Sequence, residues 1–361
     1  MNNTQMNIDK TQNTSSFSTA DTKKKRRKIR IKPTKDGMLA LLALVLITAL
    51  VVTALVFACK GIVTAIKNAQ GTEDTTDPNN GQTTLPWNNA YVPTPHPNSS
   101  IPVGDLILVN AQNGYSLTDS LNSKNLTNLY GYEGHNTYYV LPGNDIKVRS
   151  SIIQSLKQLI IAMVDENTET LGTSAEGDRL YISGAYRDTA LQTTLNTNNP
   201  TLYPETPGYS EHHTGLAVDI KVWSDSTQVN MRDTEYEWLE ANCAKYGFII
   251  RYDGSKASLT GIADEPYHLR YVGVAHAAYM SERNLCLEEY LELLRTDHKY
   301  EQTPLEITAN AKEYLVYYVP ANTTEGASFT SIPVPPTSEG TYSISGDNMN
   351  GFIVTVEKTA K

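Results

Sequence analysis

The sequence predicts an α+β domain, an antiparallel sheet with flanking helices, preceded by one transmembrane helix and followed by a small β appendage. Three observations carry this. Between residues 103 and 300, short apolar runs of strand length are interrupted by amphipathic stretches of helical period. They lack the regular strand–helix alternation that builds a parallel sheet. Residues 38–59 form one unbroken apolar run. After residue 304 the pattern turns to short alternating runs separated by Gly, Pro, Asn and Ser.

The chain begins with a polar stretch, residues 1–22, too poor in apolar side chains to bury a core. The basic run Lys23-Lys24-Lys25-Arg26-Arg27-Lys28 follows. Met38–Cys59 is 22 residues long, and Thr48 and Thr53 are its only polar members. As a helix rising about 1.5 Å per residue it spans a hydrocarbon core of about 30 Å. It is too long, and too far from the N-terminus, for a cleaved signal peptide. The excess of Lys and Arg before it places residues 1–37 in the cytoplasm and the remainder outside the cell membrane. Residues 60–102 are rich in Thr, Pro and Asn and read as a disordered spacer, with His96 solvated between prolines.

The globular part is expected over 103–300. Leu106–Val109 suggests a strand. Ile152, Leu156, Leu159, Ile160 and Met163 lie at helical spacing, which predicts a helix over 146–165 capped by Asn144 or Asp145. Leu180–Gly184 reads as a strand, Thr189–Leu195 as a helix and Leu216–Val222 as a strand. Asp233–Tyr246 is an amphipathic helix ended by Gly247, and Phe248–Ile250 and Tyr267–Tyr271 are strands. Gly273–Arg283 and Leu287–Leu294 close the domain as helices. Residues 301–361 form the β-rich appendage, with strands at Leu305–Thr308, Tyr314–Val319, Thr341–Ser345 and Phe352–Val356.

Charge narrows the function. Residues 1–60 hold 11 Lys and Arg against 3 Asp and Glu, whereas the remaining 19 Lys and Arg face 36 Asp and Glu. An acidic globular part argues against nucleic-acid binding, which rests on neutralising phosphates. Of the three cysteines, Cys243 and Cys286 fall in the globular part. They are read as two buried thiols rather than a disulfide.

The chemistry-bearing stretch runs from Ser210 to His268. His212, His213 and Asp219 at one end, and Glu265 with His268 at the other, are the donor types of a catalytic zinc site. Such a site has three protein ligands, an open fourth position for water and a nearby Glu to move protons. Pro266 excludes a helical His-Glu-x-x-His arrangement. On an unbroken strand His213 and Asp219 would share a face, so spacing leans to His213, while the turn at Gly215 weakens that lean. His135, His276 and His298 have no partners of metal-ligating type nearby in the sequence.

Three segments in order resemble the VanY-type D-alanyl-D-alanine carboxypeptidases, zinc D,D-peptidases related to the VanX-type dipeptidases. They are Ser183-Gly184-Ala185-Tyr186-Arg187, then Gly208-Tyr209-Ser210-Glu211-His212 through Gly215, Ala217 and Asp219, then Glu265-Pro266-Tyr267-His268. The resemblance covers roughly 105–295 and implies a zinc D,D-peptidase/hedgehog-like fold. Its register implies His212, Asp219 and His268 as ligands of one zinc ion, Glu265 as general base and acid, and Arg187 as the group that holds the developing oxyanion. Gln192, Tyr209 and Ser210 flank the motifs as candidate substrate contacts. The implied activity is removal of the C-terminal D-alanine from peptidoglycan stem peptides, at the outer face of the membrane. The same zinc site acting as an L,D-carboxypeptidase, D,D-dipeptidase or endopeptidase is the near alternative, and a non-catalytic wall-binding module is the distant one.

Overall fold

A computed structural model describes residues 90–359, apart from 116, 118–124, 174–176, 202, 337 and 339. The expected cytoplasmic tail, the expected membrane segment over 38–59 and most of the expected spacer lie outside the described residues. Among the described residues no helix is long and apolar enough to cross a membrane. In chain order the elements are β1 (Val92–Pro97), β2 (Leu126–Asn128), β3 (Tyr139–Val140), β4 (Lys147–Arg149), α1 (Ile153–Glu166), β5 (Arg179–Gly184), α2 (Thr189–Asn198), β6 (Ala217–Ser224), β7 (Thr227–Val229), α3 (Asp233–Asn242), β8 (Phe248–Tyr252), β9 (Glu265–Tyr271), α4 (Val274–Arg283) and α5 (Leu287–Asp297). Then come β10 (Leu305–Ala309), β11 (Lys312–Pro320), β12 (Phe329–Val334), β13 (Gly340–Gly346) and β14 (Gly351–Lys358).

The central sheet has the order β3-β5-β6-β9-β8, with β7 folded back on β6. Its pairs are antiparallel except β3 with β5, which is parallel and departs from the antiparallel sheet the sequence suggested. Along β6, Val218, Ile220 and Val222 face a core shared with Leu156, Leu159, Ile160 and Met163 of α1. The alternation of a strand then turns Asp219 and Lys221 to the opposite face, where a cavity opens.

Two predicted elements are differently built. The helix expected over 146–165 begins only at Ile153, after a 3-10 turn at Ser150–Ile152. Residues 147–149 instead pair with β2, and the Arg149 N–H donates to Gly215 O at 2.8 Å, so tertiary pairing overrides the cap read from Asn144 or Asp145. Leu106–Val109 is buried but forms no strand. Ile107 and Val109 enter the core under α1, whereas Leu106 and Leu108 enter the one under α4 and α5. Its backbone is satisfied from elsewhere: Leu106 N–H donates to Ser345 Oγ, Leu108 N–H to Asp347 O, and Ile107 O accepts from Arg270.

The β-rich tail packs on the helices that precede it. Strands β10-β11-β14-β13 form one sheet, and the described part of the chain falls in a single compact unit. One face of that sheet packs Leu305, Ile307, Val316 and Ile353 against Met280, Leu287, Leu291 and Leu294 of α4 and α5. On the other face Tyr317, Phe352 and Val354 pack with Ile332 and Val334 of β12.

The spacer also ends earlier than its composition suggested. Residues 92–97, Val-Pro-Thr-Pro-His-Pro, form β1 and pair antiparallel with β12 from Val92↔Val334 to Pro97↔Phe329. Prolines at every second position leave the N–H groups of Val92, Thr94 and His96 for the ladder. The missing donors then fall on the open edge, where a strand tolerates proline. His96 is accordingly half-buried, its ring edge-on to Phe352 at 5.1 Å, rather than solvated. Cys243 and Cys286 are free and buried, and burial pushes their thiols up to about 12 and about 11.

Candidate metal centre

Three elements bring the donors together. Glu211–Thr214 forms a 3-10 turn, ended by Gly215 at φ 69°, and carries His212. Asp219 lies on β6 and His268 on β9, directly opposite each other in the antiparallel register. A bulge at Ser183 in β5 brings Gly184 opposite Asp219. Gly184 is required there, because a Cβ would collide with Asp219 Oδ2.

One donor atom each from His212, Asp219 and His268 lie within 4.8 Å of one another. His212 Nε2 is 3.3 Å from Asp219 Oδ2, and His268 Nδ1 is 2.9 Å from Asp219 Oδ1. His212 Nδ1 is 2.7 Å from Ala185 O, which accepts its N–H and leaves Nε2, buried and without a hydrogen bond among the described residues, for a cation. Two imidazole nitrogens, one of them this orphan, and a carboxylate fit a zinc ion.

His213 is committed elsewhere. Its Nδ1 lies 2.8 Å from Arg187 O, and its Nε2 accepts the Gly208 N–H at 2.9 Å. The spacing argument that leaned to His213 assumed a continuous strand, and the 3-10 turn followed by left-handed Gly215 breaks that parity.

The electrostatics suit positive charge. Burial alone would raise the Asp219 carboxyl, yet His212 and His268 hold it well below the usual range. Burial alone would lower His268, but hydrogen bonding and charge from Asp219 and Glu211 push it up to about 10. The field that favours a proton on His268 favours a metal cation in its place. Burial, with the Arg187 charge, lowers His212.

Glu265 stands at the rim, Oε2 3.9 Å from His268 Nδ1, and burial raises its carboxyl against the opposing charge of His268. Arg187 donates through one terminal nitrogen to Gln192 Oε1 at 3.0 Å and lies over the Tyr203 ring at 5.3 Å. Its Nε is buried and makes no hydrogen bond among the described residues. All five residues line a cavity of about 500 Å³, together with Tyr203, Glu205, Lys221 and Tyr267.

Gln192, Tyr209 and Ser210 are not among the residues lining that cavity. Gln192 is wholly buried and ties Arg187 to Glu205 O. Ser210 is also buried, and Tyr209 is partly exposed, beside Gly114.

Sequence reasoning missed Glu211. Its Oε1 accepts from Arg251 Nε and Arg270, each at 2.8 Å. Burial would raise this carboxyl, but the two guanidiniums and His268 hold it well below the usual range. The available signal was two arginines inside otherwise apolar strands, Ile250-Arg251 and Leu269-Arg270, since a buried guanidinium demands a buried carboxylate.

A family model described as VanY, D-alanyl-D-alanine carboxypeptidase, matches residues 145–274. A D-alanyl-D-alanine carboxypeptidase of Enterococcus faecium is 33% identical over 253 residues, covering 70% of this chain and 75% of its own. The bifunctional D-Ala-D-Ala dipeptidase and D-Ala-D-Ala carboxypeptidase VanXYC of Enterococcus gallinarum is 39% identical over 93 residues, 24% of this chain and 49% of its own. Among solved structures, the vancomycin resistance D,D-dipeptidase VanXYg in complex with a D-Ala-D-Ala phosphinate analog matches with a TM-score of 0.58 at 25% identity. That match covers 74% of this chain and 99% of the other.

Proposed function

Since this chain belongs to the family of VanY-type D-alanyl-D-alanine carboxypeptidases, we propose that it removes the C-terminal D-alanine from peptidoglycan stem peptides with one zinc ion held by His212, Asp219 and His268. The observation that carries this reading is the convergence of those three donors in the lining of a cavity that also presents Glu265 and Arg187. Zinc, when bound, supplies a Lewis acid for the scissile carbonyl and makes water acidic enough to deprotonate near neutrality.

The chain's own groups do the rest. Glu265, raised by burial, takes a proton from the attacking water and returns it to the leaving amine nitrogen. Arg187 lines the same cavity and offers the positive charge of its guanidinium to the oxygen that gains charge at the carbonyl. Gln192 fixes the guanidinium from behind, so the donor is in place before substrate arrives.

Defined stem peptides test this. Zinc-loaded protein should release D-alanine from a pentapeptide ending in D-Ala-D-Ala, and Glu265→Gln should abolish release while zinc stays bound. Preferred cleavage of a tetrapeptide or of free D-alanyl-D-alanine would reassign the scissile bond. Purified protein without metal would point to a wall-binding module.

We place the catalytic domain outside the cell membrane, held by residues 38–59. The support is the apolar run and the basic residues before it. Protease added to spheroplasts should digest the domain and spare an N-terminal tag; the reverse pattern would overturn the topology.

A further inference from the structure

Glu211 precedes His212 in the chain, yet its carboxylate faces the other histidine. Oε2 of Glu211 lies 3.6 Å from His268 Nε2. Both atoms are buried, and neither has a hydrogen-bond partner among the described residues. The opposite nitrogen of the same ring faces Asp219 Oδ1 at 2.9 Å. Two unmet polar atoms face each other across a gap slightly longer than a hydrogen bond.

The other carboxylate oxygen is held from two strands. Arg251 on β8 and Arg270 on β9, both fully buried, donate to Oε1. Arg270 also donates to Asp105 O and Ile107 O. Arg251 reaches on to Glu288 of α5 through two bonds of 2.9 and 2.7 Å, and Glu288 accepts from Asn110. Two guanidiniums on one oxygen fix the direction of the other oxygen, toward His268.

We propose that Glu211 is a positioning residue for His268: its buried carboxylate keeps the proton on Nε2, so that the Nδ1 lone pair is presented to the cation. An imidazole ligand needs one nitrogen protonated and one bare, and a carboxylate behind the ring selects which. The arginines hold that carboxylate through its other oxygen. The assignment rests on the zinc reading above.

The experiment titrates metal-free full-length protein with zinc and with cobalt(II) against a competing chelator, and records the cobalt visible spectrum and thermal unfolding. Glu211→Gln should weaken metal binding by about 10–100-fold and shift the cobalt bands. Glu211→Asp keeps a charge between the arginines but withdraws Oε2 from His268. It should show the same loss and decides the matter if the Gln variant does not fold. Glu288→Gln removes a partner of Arg251 without facing His268. It should lower the unfolding temperature and leave affinity and spectrum as in the wild type.

Wild-type affinity and spectrum in a folded Glu211 variant would overturn the proposal. So would an equal spectral shift in Glu288→Gln, which would make the whole buried network mere scaffold. Failure of the wild type to bind either metal would instead overturn the zinc reading.

Discussion

Asp219 on β6 and His268 on β9 are cross-strand partners, 2.9 Å apart between Oδ1 and Nδ1, so sheet register alone sets the separation of two of the three donors. The third, His212, depends on a turn and a glycine instead. Variants that disturb each device should therefore fail differently. Asp219→Asn preserves the shape of the pair but removes its charge. Zinc affinity should fall by more than about 100-fold, beyond the usual effect of losing an outer-shell partner. Chelator competition measures it.

Gly184→Ala tests the approach of β5 to Asp219. Its methyl group would collide with Asp219 Oδ2, so the carboxylate must move. Metal content after dialysis should drop while the far-UV spectrum stays that of the parent. Retention of one zinc per chain would show that the bulged strand can retreat.

Adjacent histidines should separate cleanly. His212→Ala removes a donor and should yield metal-free protein. His213→Ala should retain zinc but leave the Arg187 carbonyl and the Gly208 N–H without their partner, at a cost of about 1–3 kcal/mol in chemical denaturation.

His276 gives a pH dependence remote from the metal donors. Its ring joins α5 to β14, with Nδ1 2.7 Å from Tyr290 Oη and Nε2 2.9 Å from Thr355 Oγ1, and burial lowers it to about 3. Below about pH 6.5 the unfolded chain takes a proton that the folded chain refuses. Stability present above pH 6.5 should thus be lost as the pH falls toward about 3, at about 1.4 kcal/mol per unit. Comparison with His276→Gln in urea at pH 7, 6, 5 and 4 isolates this contribution.

Deleting residues 304–361 should not leave a soluble enzyme. It strips the cover from Met280, Leu287, Leu291 and Leu294 and removes the partners of the Leu106 and Leu108 N–H groups. Each large apolar side chain fully re-exposed costs about 1.5–3 kcal/mol, so four of them together are comparable to the roughly 5–15 kcal/mol by which domains are stable. Recovery of a soluble truncated domain with native near-UV circular dichroism would contradict the shared core.

What could be read from the sequence followed the range of each signal. Apolar periodicity located α1, β6 and the last two helices, because their burial repeats locally. Motif register singled out His212, Asp219, Glu265 and His268, which the fold then brings together. Spacing alone leaned to His213, because a 3-10 turn followed by a left-handed glycine has no signature in strand parity. β1 and β12 escaped notice because proline ordinarily argues against a strand, and here it lies along an unpaired edge. Glu211 was hidden for another reason: its three partners come from residues 40 to 59 positions away, and no local pattern records them.

The pairing of β1 with β12 also has a mechanical side. Tension arriving from the N-terminal side meets a six-residue ladder to β12, and then Asn98, whose side chain donates to Asn322 O and Ala327 O and accepts from Thr330 Oγ1. A pull on the chain before Val92 would thereby be handed to the C-terminal strands, which act as a strain relief, and the register that sets Asp219 against His268 lies downstream of the clamp.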